Sequence, residues 1–168
     1  MELKNFFLEQ LESEAAASRK ALERVPEGRN DWKPHERSME LGRLASLVAD
    51  MPGWVVLMLD YERLDLDDPS SESFRTKTAA NKAELLAKLD TSVGAARAAL
   101  EKTTEEHLHG HWGFAMGGKI LSGGPRYAMI SNALFSHLAH HRGQLTVYLR
   151  LLDAKVPALY GPSADEGM

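Results

Sequence analysis

The run His137-Leu138-Ala139-His140-His141-Arg142-Gly143-Gln144-Leu145 decides how the chain is read. It lies inside the longest helical pattern in the sequence, from about Pro125 to Asp153. An α-helix turns about 100° per residue, so His137 and His141 stand about 40° apart on one face. The spacing sets them among Ile130, Ala133, Leu134, Leu145, Tyr148 and Leu152, on the stripe expected to face a core. Gln144 returns to that stripe one turn beyond His141, and His140 points about 60° to the other side of His137.

Two neutral imidazoles at i, i+4 can share one divalent metal, because their ring nitrogens converge from one helix face. The same pair also reads as two core histidines hydrogen-bonded to their neighbours. A metal site normally takes a third protein ligand from another element. The rest of the chain is therefore read for that ligand.

Outward from this helix the pattern is helical almost throughout. Leu3, Phe7, Leu11, Ala15, Ser18, Leu22 and Val25 recur at spacings of three and four, and Pro26, Gly28 and Asn30 end the run. The stretch from Asp31 to Ser38 is a loop, with Pro34 holding Lys33 extended and Ser38 placed to cap the next helix. A second helix is expected from about Met39 to Leu64, with Leu44, Leu47, Met51, Trp54 and Met58 on one face and a kink at Pro52. An acidic, serine-rich connector follows from Asp65 to Ser73. The third helix starts near Thr78 and packs through Leu86, Leu89, Val93, Ala96 and Leu100.

His107, His109 and His111 alternate in the link after it, where they read as solvated residues rather than ligands. Residues 111 to 116, Gly117-Gly118 and 119 to 122 read as a small β-hairpin, since two glycines supply the positive φ angles of a tight turn. Trp112, Phe114 and Ile120 are its candidates for the mouth of a pocket. The whole is expected to be one domain, residues 1–168, all-α, a four-helix bundle with a small β-hairpin between the third and fourth helices, and 154–168 as an ordered non-helical tail.

Composition narrows the function classes. Net charge is −4 and no basic stripe appears, so nothing favours nucleic acid or an anionic membrane. There are no cysteines, which excludes disulfides, thiolate metal sites and a cysteine nucleophile. The start Met1-Glu2-Leu3-Lys4 lacks the pattern of a signal peptide, and the most apolar run, Trp54 to Leu59, is too short to span a membrane. A cytoplasmic protein is expected. A homodimer is expected too, because the kinked second helix and Tyr160 in the tail leave apolar surface that needs cover.

Several stretches are also familiar. Trp32-Lys33-Pro34-His35-Glu36-Arg37-Ser38 followed by Leu41-Gly42-Arg43-Leu44-Ala45, then Pro52-Gly53-Trp54, resembles the second-helix region of the DinB/YfiT-like superfamily. The His137 to Leu145 run resembles its fourth-helix signature, and Tyr160-Gly161-Pro162-Ser163-Ala164-Asp165-Glu166 the tail of one of its subgroups. The resemblance covers nearly the whole chain. It implies a four-helix bundle, often dimeric, with a divalent metal (nickel or zinc) held by three histidines. It further implies a metal-dependent thiol S-transferase or a hydrolase acting on a small molecule or low-molecular-weight thiol.

Carried over by position, the fourth-helix ligands are His137 and His141, and the second-helix ligand falls at Leu47, which cannot bind a metal. Asp50, one turn on, His35 or His111 are the candidates to replace it, and Gln144 is placed to orient His141 or a substrate. Asp50 is also the best-placed general base, although no catalytic residue is evident. The other reading is a non-catalytic dimeric bundle without metal that binds a small molecule or is associated with stress.

Overall fold

The computed structural model describes residues 2–167. Helices dominate: α1 (Leu3–Glu23), α2 (Leu41–Asp50), α3 (Trp54–Asp60), α4 (Lys82–Lys102), α5 (Glu105–His109), α6 (Arg126–Met129) and α7 (His137–Leu151). Against them lies a small sheet of β1 (Arg63–Asp65), β2 (His111–Met116) and β3 (Lys119–Pro125), in the order β1-β2-β3. α1 packs on α4, α4 on α2 and α3, and α7 on α2 and α1, around one apolar core.

α1 forms because Phe7, Leu11, Ser18 and Leu22 give it one buried face, and it stops before Pro26 and Gly28, whose φ is +69°. α2 starts at Leu41, not Met39, and Ser38 does not cap it. Its first amides are met from the loop instead, where Leu41 N–H donates to the Trp32 carbonyl at 2.8 Å and Gly42 N–H to that of Asn30 at 3.0 Å. Gly42 is needed for this approach, because a Cβ there would sit 2.8 Å from the Asn30 side chain. Trp32 lies edge-on to Tyr148 at 5.5 Å, which ties the loop to α7.

Pro52 has the expected effect on the second helix: Met51–Gly53 tightens into a 3₁₀ turn between α2 and α3. Leu44, Met51 and Met58 are buried along it, with Leu47 and Trp54 at its half-buried margin. The helix ends at Asp60 rather than Leu64, because Tyr61 is extended and Arg63–Asp65 becomes β1, which the sequence pattern did not indicate. Taken together, Leu41–Asp60 is 20 residues long with a mean hydropathy of 1.3, enough by length and composition to cross a membrane, contrary to the reading of its sequence. It is 67% buried inside the protein, which is how a core helix uses such a face.

Asn81 caps α4, accepting from Glu84 N–H at 2.9 Å, so the helix begins later than Thr78. Its buried line is Leu85, Leu89, Ser92, Ala96 and Leu100, with Leu86 and Val93 beside it. β2 and β3 pair antiparallel around Gly117 and Gly118, at φ +58° and +77°. β1 joins parallel to β2, Arg63 opposite Gly113. The Asp65 carboxylate accepts from Gly118 N–H at 2.6 Å and Gly117 N–H at 3.0 Å, which fastens β1 to the turn and holds its pKa below the ordinary carboxylate value.

Candidate functional site

The segment leading into α7 is a π-helical turn, Ile130–Ser136. A π turn takes up an additional residue, and this shifts the phase of everything after it. The buried stripe of the helix is Ile130, Leu134, Leu138, Arg142, Leu145 and Leu149. His137 and His141 are thus one residue out of phase with it, about 100° round from Leu138 and Arg142. They do not sit at the centre of the core stripe. His137 is exposed, His141 half-buried and Gln144 exposed, together on the flank of α7 beside Tyr148.

The pair itself is closely set. The rings of His137 and His141 are 4.5 Å apart, and His137 rests 5.8 Å from the indole of Trp54 at the start of α3. His141 Nδ1–H donates to Gln144 Oε1 at 2.8 Å. The main-chain carbonyl of Ala133, inside the π turn, favours the charged form of His137. Partial burial pushes both imidazoles below the ordinary histidine pKa, more than the Ala133 carbonyl and Gln144 raise them; repulsion from His140 acts on both in the same direction, and that from His137 acts on His141. Both are therefore neutral at pH 7, the form that ligates metals. His140 flanks the pair at 5.1 Å from His141.

No third donor joins them among the described residues. Leu47 is a half-buried apolar residue on α2, packed on the core. Asp50 is engaged elsewhere, in an ion pair with Lys88 of α4 at 3.1 Å. His35 accepts the Arg37 N–H at 3.1 Å within its own loop. His111 is exposed on β2; His107 bonds the Leu59 carbonyl and His109 that of Glu105. Trp112, expected at a pocket mouth, is buried in the core and donates to the Leu57 carbonyl at 3.1 Å.

The sequence reading passed over Arg142. It is fully buried, with its guanidinium paired to the Glu14 carboxylate of α1 and bonded to Ser18 Oγ at 2.9 Å and the Glu14 carbonyl at 3.0 Å. Tyr160 of the tail completes the cluster: its hydroxyl bonds Glu14 at 2.8 Å and contacts Arg142, whose Cζ lies 5.1 Å from the ring centre. Burial and the bond to Glu14 raise the Tyr160 pKa, so it stays a protonated donor. Glu14 lies at the core spacing of the first helix, three residues after Leu11, but Arg142 is one residue off the stripe read from the sequence and enters the core through the π turn.

A helix-dominated protein with a paired-histidine face on its last long helix is the class these features define. The chain belongs to the DinB family, whose pattern it matches over residues 1–167. It is similar to the crystal structure of a DinB-like protein from Bacillus cereus ATCC 10987, with a TM-score of 0.70 at 20% identity over 92% of this chain and 95% of that one. It is also similar to a DinB-like protein from Bacillus subtilis, with a TM-score of 0.66 at 20% identity over 89% and 94% of the two chains. At that identity both likenesses speak to the fold. No curated protein matches the chain.

Proposed function

We propose that this chain is a four-helix-bundle protein of the DinB type with a reduced divalent-metal site, formed by His137 and His141 and serving a thiol-transfer or hydrolytic reaction on a small molecule. The observation that carries this reading is the His141–Gln144 bond beside the 4.5 Å ring pair. It commits the proton to Nδ1 and leaves Nε2 with its lone pair, as second-shell partners of metal-bound histidines do. The donor set suits nickel or zinc as a half-site, the remaining positions falling to water or substrate. A bound divalent ion supplies one thing there: it lowers the pKa of a coordinated water or thiol towards neutrality. The chain's own residues hold and orient: Gln144 fixes His141, and Trp54 stands as the apolar wall beside His137.

A second reading has its own support. Leu47 stands where a third histidine is expected, and no other donor replaces it among the described residues. This favours a bundle that binds a small molecule without metal or catalysis. In either case the proposal includes a cytoplasmic homodimer. Part of the support differs from what the sequence suggested, since the kinked helix buries most of its surface, while Tyr160 keeps 66% of its surface exposed although its hydroxyl is bonded to Glu14. Val147 and Leu151, one turn apart on the outer face of α7 and 57% and 56% exposed, add to it. Elemental analysis of untagged protein separates the two readings. Nickel or zinc bound in stoichiometric amount, and lost in His137→Ala and His141→Ala, supports the metal site. Metal-free protein that gains no thermal stability from either ion rejects it.

A further inference from the structure

We propose that the open groove between the sheet and the start of α6 binds the oxyanion group of a small molecule, a carboxylate or a phosphate, through Arg126 and Arg63. The groove has a volume of about 460 Å³ and is lined by Glu62, Arg63, His111, Gly113, Ile120 and Arg126.

Arg126 is the reason for the choice of ligand. It is only 7% exposed. Its Nε donates to the Met58 carbonyl at 2.9 Å, Nη1 to that of His111 at 2.7 Å, and Nη2 to that of Tyr61 at 3.3 Å. All three acceptors are neutral main-chain groups, drawn from α3, the residue after it and β2. They hold the guanidinium plane in place but do not cancel its charge. A guanidinium carries five N–H donors, so two remain after these bonds. Among the described residues no carboxylate pairs with Arg126 or with Arg63. A buried cation without a counter-charge is costly, and a bound anion relieves that cost.

The rest of the groove fits the same ligand. Arg63 on β1 lies directly beside Gly113 of β2, which has no side chain to fill the floor. The nearby Asp65 carboxylate is bonded to the amides of Gly117, Gly118 and Asp67; it acts on Arg63 through space but forms no ion pair with it. One acid, Glu62, against two arginines leaves the lining net cationic. Ile120, 57% exposed, offers an apolar wall for the ligand's body. A fixed arginine fork with two donors left, next to an exposed second arginine, is the arrangement that recognises planar or tetrahedral oxyanions. None of these residues belongs to the histidine pair, so the groove stands or falls independently of the metal reading.

The test is an NMR titration of the full ¹⁵N-labelled chain with inorganic phosphate and, separately, with benzoate, at matched ionic strength. The signals followed are the Gly113 and Ile120 amides and the Arg126 Nε–H. Saturable shifts confined to the groove are expected, and the probe that saturates says whether phosphate or carboxylate is the recognised group. Arg63→Gln, a change at an exposed residue, is expected to weaken binding about tenfold through the loss of a charge-assisted hydrogen bond. His141→Ala is expected to leave binding unchanged. Shifts that rise linearly without saturation for both probes, that spread equally over surface lysines and arginines, or that persist undiminished in Arg63→Gln overturn the proposal.

Discussion

The Nδ1–H of His141 donates to Oε1 of Gln144 over 2.8 Å, so the nitrogen left free on that ring is Nε2. The two residues are one helical turn apart, and the bond costs the backbone nothing. It fixes the tautomer and the tilt of the ring towards His137. Gln144→Leu removes the acceptor and leaves the ring free to rotate. If the pair binds metal, this variant is expected to lose about 10–100-fold in nickel or zinc affinity. Isothermal titration of wild type and variant measures it; equal affinities would mean that Gln144 does not orient the site.

Leu47 gives a sharper test. Its side chain is half-buried, so Leu47→Ala is expected to cost about 2 kcal/mol, the lower end of the range for core leucines. Leu47→His is expected to lower the melting temperature of the metal-free protein, since a partly buried imidazole needs a partner. Added nickel or zinc is expected to restore it, because a ligand that binds only the folded state stabilises by mass action. Wild type is expected to shift much less, and His137→Ala to abolish the gain in the Leu47→His background. Equal shifts in wild type and Leu47→His would place the missing ligand somewhere other than position 47.

The histidine pair was legible because i, i+4 spacing survives any rotation of the helix. Which face it occupies was not legible, because the π turn at Ile130–Ser136 moves the burial phase by one residue and nothing local marks it. That shift put Arg142, rather than His141, into the core. β1 escaped notice for another reason: Arg63, Leu64 and Asp65 alternate polar and apolar, but three residues are too few to stand out as a strand, and they become one by pairing with Gly113, Phe114 and Ala115. The end of α3 follows from that pairing. Both helix starts were misread: Asn81, rather than a residue near Thr78, caps α4, and loop carbonyls rather than Ser38 meet the first amides of α2 at Leu41.

Acid should loosen the histidine flank. Burial lowers the pKa of His137 and His141 in the folded chain below 6.5, the value expected when unfolded. Between the two values the unfolded chain binds more protons, so acid favours unfolding. The contribution is fully present above pH 6.5 and is lost as pH falls through that value towards the folded pKa. Metal-free protein is expected to melt at a lower temperature at pH 5.5 than at pH 7.5. In His137→Asn/His141→Asn that dependence is expected to flatten. An unchanged slope in the double variant would assign the effect to other groups.

The buried pair of Arg142 and Glu14 carries the last prediction. Arg142 is 0% exposed and Glu14 9%, and the guanidinium spends its donors on Glu14, Ser18 and Tyr160. Its Nε has no partner among the described residues. Two desolvated charges of opposite sign roughly cancel their own cost, whereas either one alone does not. Glu14→Ala therefore strands a cation in the core and is expected to cost about 3–5 kcal/mol. Arg142→Met alone leaves Glu14 without its counter-charge and is expected to cost a similar amount. The double variant Glu14→Leu/Arg142→Met removes both charges together. It is expected to recover most of that loss, a strongly non-additive cycle by chemical denaturation. Tyr160→Phe removes only the hydroxyl that bridges the tail to the pair, and a loss near 1 kcal/mol is expected. Its larger effect should be local: residues 156–166 are expected to exchange their amide hydrogens faster while the core stays protected. Additive costs in the cycle would show that the pair is not a coupled unit. Unchanged exchange in the tail would show that the Asp165 bonds to Arg150 and Val156 N–H hold it without Tyr160.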